Sequence, residues 1–252
     1  VDTAADLWKA LHEGLILPNS DIYKFFQEDD TTERAEIKHL SVPYKFLHDR
    51  VQQAAYSLIP TEQKSLTHLK IGQLLKSHMA KEKLEDNIFD IVNQLNLGRE
   101  LITAPKEKEK LAQLNLQAGR KARASTAYMA ANQYLTTGIE LLRNNCWKTQ
   151  YDLTLALHES AAETAYLSGD FSHQEQLVQI VLRYAQSLLE KVKIYEISAQ
   201  SLYAQNRPAE SLETLLMALK LFGINFPNNP TTSEIQQILE ESRGNWNQQP
   251  IE

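Results

Sequence analysis

The sequence has few of the residues that interrupt helices or build covalent and metal sites. Its 252 residues include 8 glycines, 8 prolines and one cysteine, Cys146. A single cysteine excludes an intrachain disulfide and a cysteine-based zinc site, and it fits a reducing compartment. Because helix breakers are scarce while Leu, Ala, Gln, Glu and Lys are abundant, the composition predicts an all-α protein.

The chain also lacks a basic stripe, a long apolar run and a signal peptide. The formal net charge is -6, which disfavours nucleic-acid binding by phosphate neutralisation, although a local basic patch would escape this test. No apolar run approaches the roughly 20 residues of a membrane span. The chain starts Val1-Asp2-Thr3, without an initiator Met or the pattern of a signal peptide. We therefore expect a piece of a longer, cytoplasmic protein.

The motifs of common catalytic sites are missing as well. No Gly-x-x-x-x-Gly-Lys-Ser/Thr loop and no Gly-x-Gly-x-x-Gly is present, so the chain does not cradle nucleotide phosphates by itself. There is no His-Glu-x-x-His, and the spacing of His68 and His78 does not place them on adjacent turns of one helix face. We expect no enzyme activity, no metal and no cofactor in this segment.

What the sequence does contain is helical periodicity, most clearly in residues 111–142. Apolar residues recur there at helical spacing in two stretches that meet at Ala124-Ser125-Thr126. Gly119 and Ala131 are small enough for the two helices to approach closely. This pattern is typical of a tetratricopeptide-like hairpin, which needs stacked neighbours because it cannot bury its apolar face alone.

Further hairpins are predicted downstream, at a turn-to-turn distance near the repeat period. After a loop at 144–147, helices are expected at Thr149–Leu167 and Gln174–Leu189 around the turn Gly169-Asp170-Phe171, and then at Ile194–Gln205 and Ala209–Phe222. Thr232 or Ser233 is expected to cap a last helix that ends near Arg243, followed by a frayed tail. The sequence thus predicts a tetratricopeptide-like solenoid over 106–230, and a C-terminal helix and tail over 231–252.

The N-terminal part has a different pattern. Leu7, Trp8, Leu11 and Leu15 predict a short helix that is ended by Gly14 and Pro18. A polar insert at 19–40, a short strand at 42–46 and a helix from Phe46 to Ile59 follow. This order is compatible with a winged-helix remnant over residues 1–60. Helices at Thr61–Met79 and around Ile88–Leu95, with a charged turn at 80–85, predict a linking hairpin over 61–105.

Several stretches carry a family resemblance. LWKALHEGLILP, YKFLHDRVQQAAYSLIP, HLKIGQLL and IFDIVNQLNLG, followed by the repeat at 111–142, resemble in this order the large bacterial, especially cyanobacterial, multi-domain signalling kinases. Those proteins carry a serine/threonine-kinase-like domain, an AAA-type ATPase module of the STAND class, a helical repeat region, and sensor and histidine-kinase domains. The resemblance implies that this chain is the end of the ATPase module and the helical region after it.

The resemblance also implies a nucleotide-sensing role for His48 and Asp49 in the complete protein. A His-Asp pair in the winged-helix domain of STAND ATPases lets the histidine reach the β-phosphate of ADP, so ATP or ADP would be a ligand of the parent protein. Here Leu47 replaces the Met that precedes the pair in the family pattern. The alternative is structural: His48 begins a helix, and Asp49 is an acid favoured in the first turn.

A protein-binding groove follows from aligning the hairpins. If Gly119, Ala162 and Ala199 are equivalent positions, the residues one and four beyond each are expected on the concave side. These are Arg120, Arg123, Glu163, Tyr166, Gln200 and Tyr203. Tyr and Arg are enriched among binding hot spots. A plain solvated face for the arginines and a core role for the tyrosines are the alternatives.

Two functions of different class remain open. The first is a non-catalytic scaffold that binds a peptide, a helix or another domain of its own polypeptide and couples the ATPase to downstream sensor and kinase domains. The second is part of a nucleotide-binding ATPase, in which residues 1–60 complete a site whose Walker loop lies upstream. Nucleotide binding by this chain alone would favour the second.

Overall fold

The computed structural model describes residues 3–19, 44–78, 85–142, 144–226 and 230–246. Helices make up nearly all of the regular structure in these ranges, which confirms the all-α class. The chain divides into two compact units, Val1–His68 and Leu69–Glu252. The finer division at residues 60, 105 and 230 stays a prediction.

The described residues of the first unit form two short helices, a two-stranded antiparallel sheet and the beginning of a third helix. Its elements are α1 (Thr3–His12), β1 (Ile16–Pro18), β2 (Tyr44–Phe46), α2 (Asp49–Ser57) and the start of α3 (Thr61–His78). β1 pairs with β2 so that Ile16 lies opposite Phe46. Among the described residues of this unit, only Ile16 is buried.

The placement of Leu15 on the first helix was wrong. Gly14 adopts a left-handed conformation with φ 69°, and the Leu15 amide donates to the Ala10 carbonyl. This hydrogen bond closes α1 after His12 and turns the chain into β1. The three residues Ile16–Pro18 are too short to show the alternation by which a strand is recognised in a sequence.

Some predicted segments cannot be compared with the structure. Residues 20–40 of the polar insert, Val42 and Pro43 of the strand, residues 80–84 of the charged turn and the tail after Trp246 lie outside the described residues.

The second unit is a succession of helices. In chain order these are α4 (Ile88–Leu97), a 3-10 turn (Arg99–Leu101), α5 (Pro105–Ala124), α6 (Tyr128–Glu140), α7 (Cys146–Thr149), α8 (Tyr151–Leu167), α9 (Phe171–Tyr184), α10 (Leu188–Ala204), α11 (Pro208–Leu221) and α12 (Thr232–Trp246). Three pairs, α5/α6, α8/α9 and α10/α11, pack closely, and α6 on α8 and α9 on α10 join the pairs in series.

The three pairs turn in the same way. Each turn has one residue in the left-handed region: Thr126 at φ 59°, Gly169 at φ 81° and Asn206 at φ 59°. The amide that follows it donates to a carbonyl five residues back in each case. These residues are spaced like Gly119, Ala162 and Ala199, seven positions further along. The three turns are therefore equivalent in backbone geometry as well as in their spacing from these small residues.

Several predicted boundaries were wrong for local reasons. The helix predicted from Phe46 begins at Asp49, because Phe46 pairs with Ile16 in the sheet. The predicted loop at 144–147 contains the start of α7. The chain leaves α9 after Tyr184 rather than at Leu189, because Ser187 and Glu190 form a capping box that begins α10 at Leu188. The residue that caps α12 is Thr231 rather than Thr232 or Ser233, because the Thr231 hydroxyl accepts from the Glu234 amide at 3.3 Å.

Close helix approach is set by glycines that meet leucines. A Cβ on Gly119 would lie 2.6 Å from Leu135 Cγ, and one on Gly138 would lie 2.6 Å from Leu157 Cδ2. Both leucines are fully buried. The first contact joins α5 to α6, and the second joins α6 to α8. Within the core, buried Asn115 exchanges two amide hydrogen bonds with Asn96, at 2.8 and 2.9 Å, which fastens α4 to α5.

We expect Gly119→Ala to destabilise the protein. The substitution gains about 1 kcal/mol of helix propensity, but the overpacking against Leu135 costs about 1–3 kcal/mol. Urea denaturation followed by circular dichroism measures the difference in the free energy of unfolding.

A second background makes the test specific. In a Leu135→Ala protein the atoms that the new Cβ meets are gone, so Gly119→Ala should there be neutral or stabilising. Equal destabilisation in both backgrounds would contradict the packing explanation.

Candidate protein-binding surface

The first helices of the three pairs form a row. α5 packs on α8 and α8 packs on α10, in addition to the contacts within the pairs. In the described part of the chain, the second helices α6, α9 and α11 make no comparable contacts with one another. Successive pairs therefore approach most closely on the side of α5, α8 and α10. We call this side the first-helix row.

Polar contacts cross both junctions of the first-helix row. At each junction, one hydrogen bond lies near the start of the helix that comes later in the chain, and one ion pair lies further along that helix. The partners are Gln150 with Glu109 (2.8 Å) and Arg123 with Glu163 between α5 and α8, and Tyr151 with Glu190 (2.7 Å) and Lys193 with Glu159 between α8 and α10. The row is thus ordered by polar side chains as well as by packing.

Two acids on α8 connect the row in opposite directions. Glu159 and Glu163 lie one helical turn apart, yet Glu159 pairs with Lys193 on α10 and Glu163 pairs with Arg123 on α5. The Glu159 side chain is only 9% exposed, whereas that of Glu163 is 33% exposed. α8 is therefore the central helix of the row, and its charges are used by both neighbours.

The predicted groove residues differ in their surroundings. Arg123 and Glu163 are brought together as an ion pair. On α10, Gln200 is exposed and donates to Glu196 (3.3 Å), and Tyr203 is 71% exposed. Tyr166 is half-buried. A binding role for these residues stays a prediction.

Arg120 is exposed beside a different neighbour. It lines a cavity of about 730 Å³ together with Glu85, Asp86 and Lys121, among others. The Lys121 ammonium donates to the main-chain carbonyls of Glu85 (2.6 Å) and Asp86 (3.3 Å). Arg120 thus lies where the chain enters α4, while Arg123, one turn on, reaches α8.

His48 and Asp49 lie at the junction of strand and helix in the first unit. His48 is the extended N-cap residue of α2, and its carbonyl accepts from the Val51 and Gln52 amides. Its side chain makes no capping hydrogen bond. Asp49 is the first residue of α2, and both side chains are exposed. This position agrees with the structural alternative, and the nucleotide-sensing role stays a prediction.

An aromatic cluster beneath α7 was missed by the sequence analysis. Trp147 stacks on Tyr184 with ring centroids 4.7 Å apart, and its ring lies 5.0 Å from that of His158. His158 is buried, and its Nδ1 lies 2.7 Å from the Thr154 carbonyl oxygen. Burial lowers the pKa of His158, because the charged imidazole would be desolvated there. A histidine among the apolar residues of α8 was the available signal.

A membrane-spanning helix and a metal site are both absent from the described residues. No helix among them is long and apolar enough to cross a membrane. Within the same ranges, no group of three or more His, Cys, Asp or Glu side chains is arranged to hold a metal ion.

We expect stability to fall as the pH is lowered through the ordinary histidine range. The pKa of His158 is depressed in the folded state, so below about pH 6.5 the unfolded chain binds a proton that the folded chain does not. The melting temperature should therefore decrease from pH 7.5 to pH 5.5.

The matched variant is His158→Gln, which keeps a polar side chain but does not titrate. It should flatten the pH dependence over this interval. Carboxylates with a lowered pKa, such as that of Glu190, act at lower pH and do not interfere. An equally steep dependence in the variant would rule out His158 as the source.

Comparison with known proteins finds that the chain is similar to part of a signalling kinase. The hybrid signal transduction histidine kinase G of Dictyostelium discoideum is 27% identical over 237 residues, which cover 83% of this chain and 7% of that protein. The chain therefore spans only a small part of the length of this relative. No family profile matches the chain, and no solved structure matches it.

Proposed function

We propose that this chain is a non-catalytic interaction segment of a multi-domain signalling kinase. Its first-helix row receives a peptide, a helix or another domain of the same polypeptide. The observation that carries the proposal is the row itself, in which three helices are joined across both junctions by polar pairs. The similarity to a hybrid histidine kinase supports the signalling context.

The helix pairs are interpreted as a tetratricopeptide-like solenoid. Three pairs with equivalent turns, joined in series, support this interpretation. The small residues at the pair interfaces support it as well, since Gly119 and Ala131 are both buried. Because the first helices are the closer neighbours, the first-helix row is the concave side of such a solenoid, which is the side these architectures use for binding.

The first unit is interpreted as the winged-helix-like end of an ATPase module. The order helix, strand, strand, helix, helix and the antiparallel pairing of β1 with β2 support this. In the proposed parent protein, the segment couples the nucleotide state of the ATPase to downstream sensor and kinase domains. The related kinase comes from an organism that is not a bacterium, so the proposal is not restricted to bacteria.

The exposed end of the row indicates the chemistry of the partner. Tyr203 offers an aromatic ring that is 71% exposed, and Gln200 lies one turn before it. An amphipathic partner helix would bury the ring against an apolar side chain and leave the tyrosine hydroxyl at the rim of the interface. Side chains of this type dominate binding energies because they bury a large area with few rotatable bonds.

We expect Tyr203→Ala to weaken binding about tenfold or more, the factor that corresponds to about 1.4 kcal/mol. The probes are synthetic peptides that tile the rest of the parent polypeptide, measured by fluorescence anisotropy. The melting temperature should change little, because the side chain is largely exposed.

Met129→Ala is the matched control, since Met129 is 73% exposed but lies on the second helix α6. It should leave binding unchanged. Arg120→Ala is a separate variant, which tests whether the cavity lined by Arg120 and Glu85 contributes to binding. Equal effects of Tyr203→Ala and Met129→Ala, or no binding to any peptide, would contradict the first-helix row as the binding surface.

A further inference from the structure

Helix α11 carries an apolar stripe that the described structure leaves open. Its side towards α10 is occupied, because Ser211 and Ala218 are buried and the Ser211 hydroxyl donates to the Ala199 carbonyl at 2.8 Å. Beside that contact lie the apolar residues of what we call the α11 stripe, spaced by three or four positions: Leu212, Leu215, Leu219 and Phe222. Leu212, Leu215 and Phe222 are 57%, 41% and 47% exposed.

The corresponding helices of the two earlier pairs are covered. α6 is covered by α8, where Leu157 packs over Gly138. α9 is covered by α10, and its Leu177, Val178 and Val181 are buried. In the described structure α11 lacks equivalent cover. Its stripe is continuous with the interfaces of the stack and has the spacing that a helix of the same kind would fit.

α12 has the properties of that helix. It follows α11 after ten residues, 222–231, just as α8 follows α6 after ten, 141–150. Its apolar residues Ile235, Ile238 and Leu239 form an α12 stripe at helical spacing and are 44%, 43% and 52% exposed.

The start of α12 is defined by its own sequence. The Thr231 amide and hydroxyl both donate to Glu234 Oε2 at 2.7 Å, and the Glu234 amide donates back to the hydroxyl. Such a capping box fixes where a helix begins. A 15-residue helix is nevertheless marginal in water unless its apolar face is packed.

We propose that α12 is the intramolecular partner of α11: the α12 stripe docks on the α11 stripe, as the first helix of a fourth pair. Covalent connection favours this partner over a second copy of the chain. A short linker gives an effective concentration in about the millimolar range, well above micromolar protein concentrations. The proposal does not depend on the function proposed for the first-helix row.

Hydrogen exchange of the 252-residue protein tests the proposal. Ile238→Asp with Leu239→Asp places two charges in the α12 stripe and should undock it. The amides of α11 should then exchange about tenfold faster or more, the factor that corresponds to about 1.4 kcal/mol of lost docking. The control is Gln236→Asp with Gln237→Asp, which adds the same charge outside the stripe and should leave exchange in α11 unchanged.

Sedimentation at several protein concentrations identifies the partner. Protection of α11 that is lost only in the stripe variant, in a protein that remains monomeric throughout, supports the proposal. Unchanged exchange in α11 would overturn it, since the stripe would then be open in solution. A dimer that the stripe variant dissociates would overturn it as well, because a second copy would be the partner.

Discussion

The spacing between helices depends on glycines that lie where large side chains must pass. Gly119 admits Leu135, and Gly138 admits Leu157, each at a distance that leaves no room for a Cβ. The first contact sets the separation within the pair α5/α6, and the second sets how the next pair stacks on it. Since protein interiors are close-packed, a methyl group added at either glycine would displace the neighbouring side chains.

α8 joins this packing to the surface chemistry. It contacts helices on both sides, α5 and α6 before it and α9 and α10 after it. Its buried residues are mostly small, with Ala161, Ala162 and Ala165 fully buried, so several helices can surround it closely. The same helix presents Glu159 and Glu163 to opposite neighbours. The arrangement of charges in the first-helix row thus follows from the close packing around α8.

Local sequence signals predicted the helices because the apolar residues that define them lie three or four positions apart. Turn residues were equally informative, since Gly169 and Asn206 adopt the left-handed conformations that their side chains tolerate. The alignment of Gly119 with Ala162 and Ala199 rests on such local features.

Contacts that join distant parts of the chain were not predictable in the same way. The pairing of Lys193 with Glu159 depends on the rotation of two helices, which a periodic pattern does not determine. The site of Leu157 over Gly138 depends on how far successive pairs are displaced. Ser187 and Glu190 are different. Their capping box has a local sequence pattern, so the start of α10 could have been predicted from the sequence.

The two ion pairs of the first-helix row differ in how much stability would be lost if a partner broke them. The side chains of Arg123 and Glu163 are each about one third exposed, and pairs of this kind contribute at most about 1 kcal/mol. The Glu159 side chain is nearly buried, so removing Lys193 would leave a carboxylate that is poorly solvated and unpaired, at a cost of about 1–3 kcal/mol. A charged partner can therefore compete for Arg123 without loosening the stack. Competition for Lys193 would instead weaken the junction between α8 and α10, and binding there would be coupled to the packing of the two helix pairs.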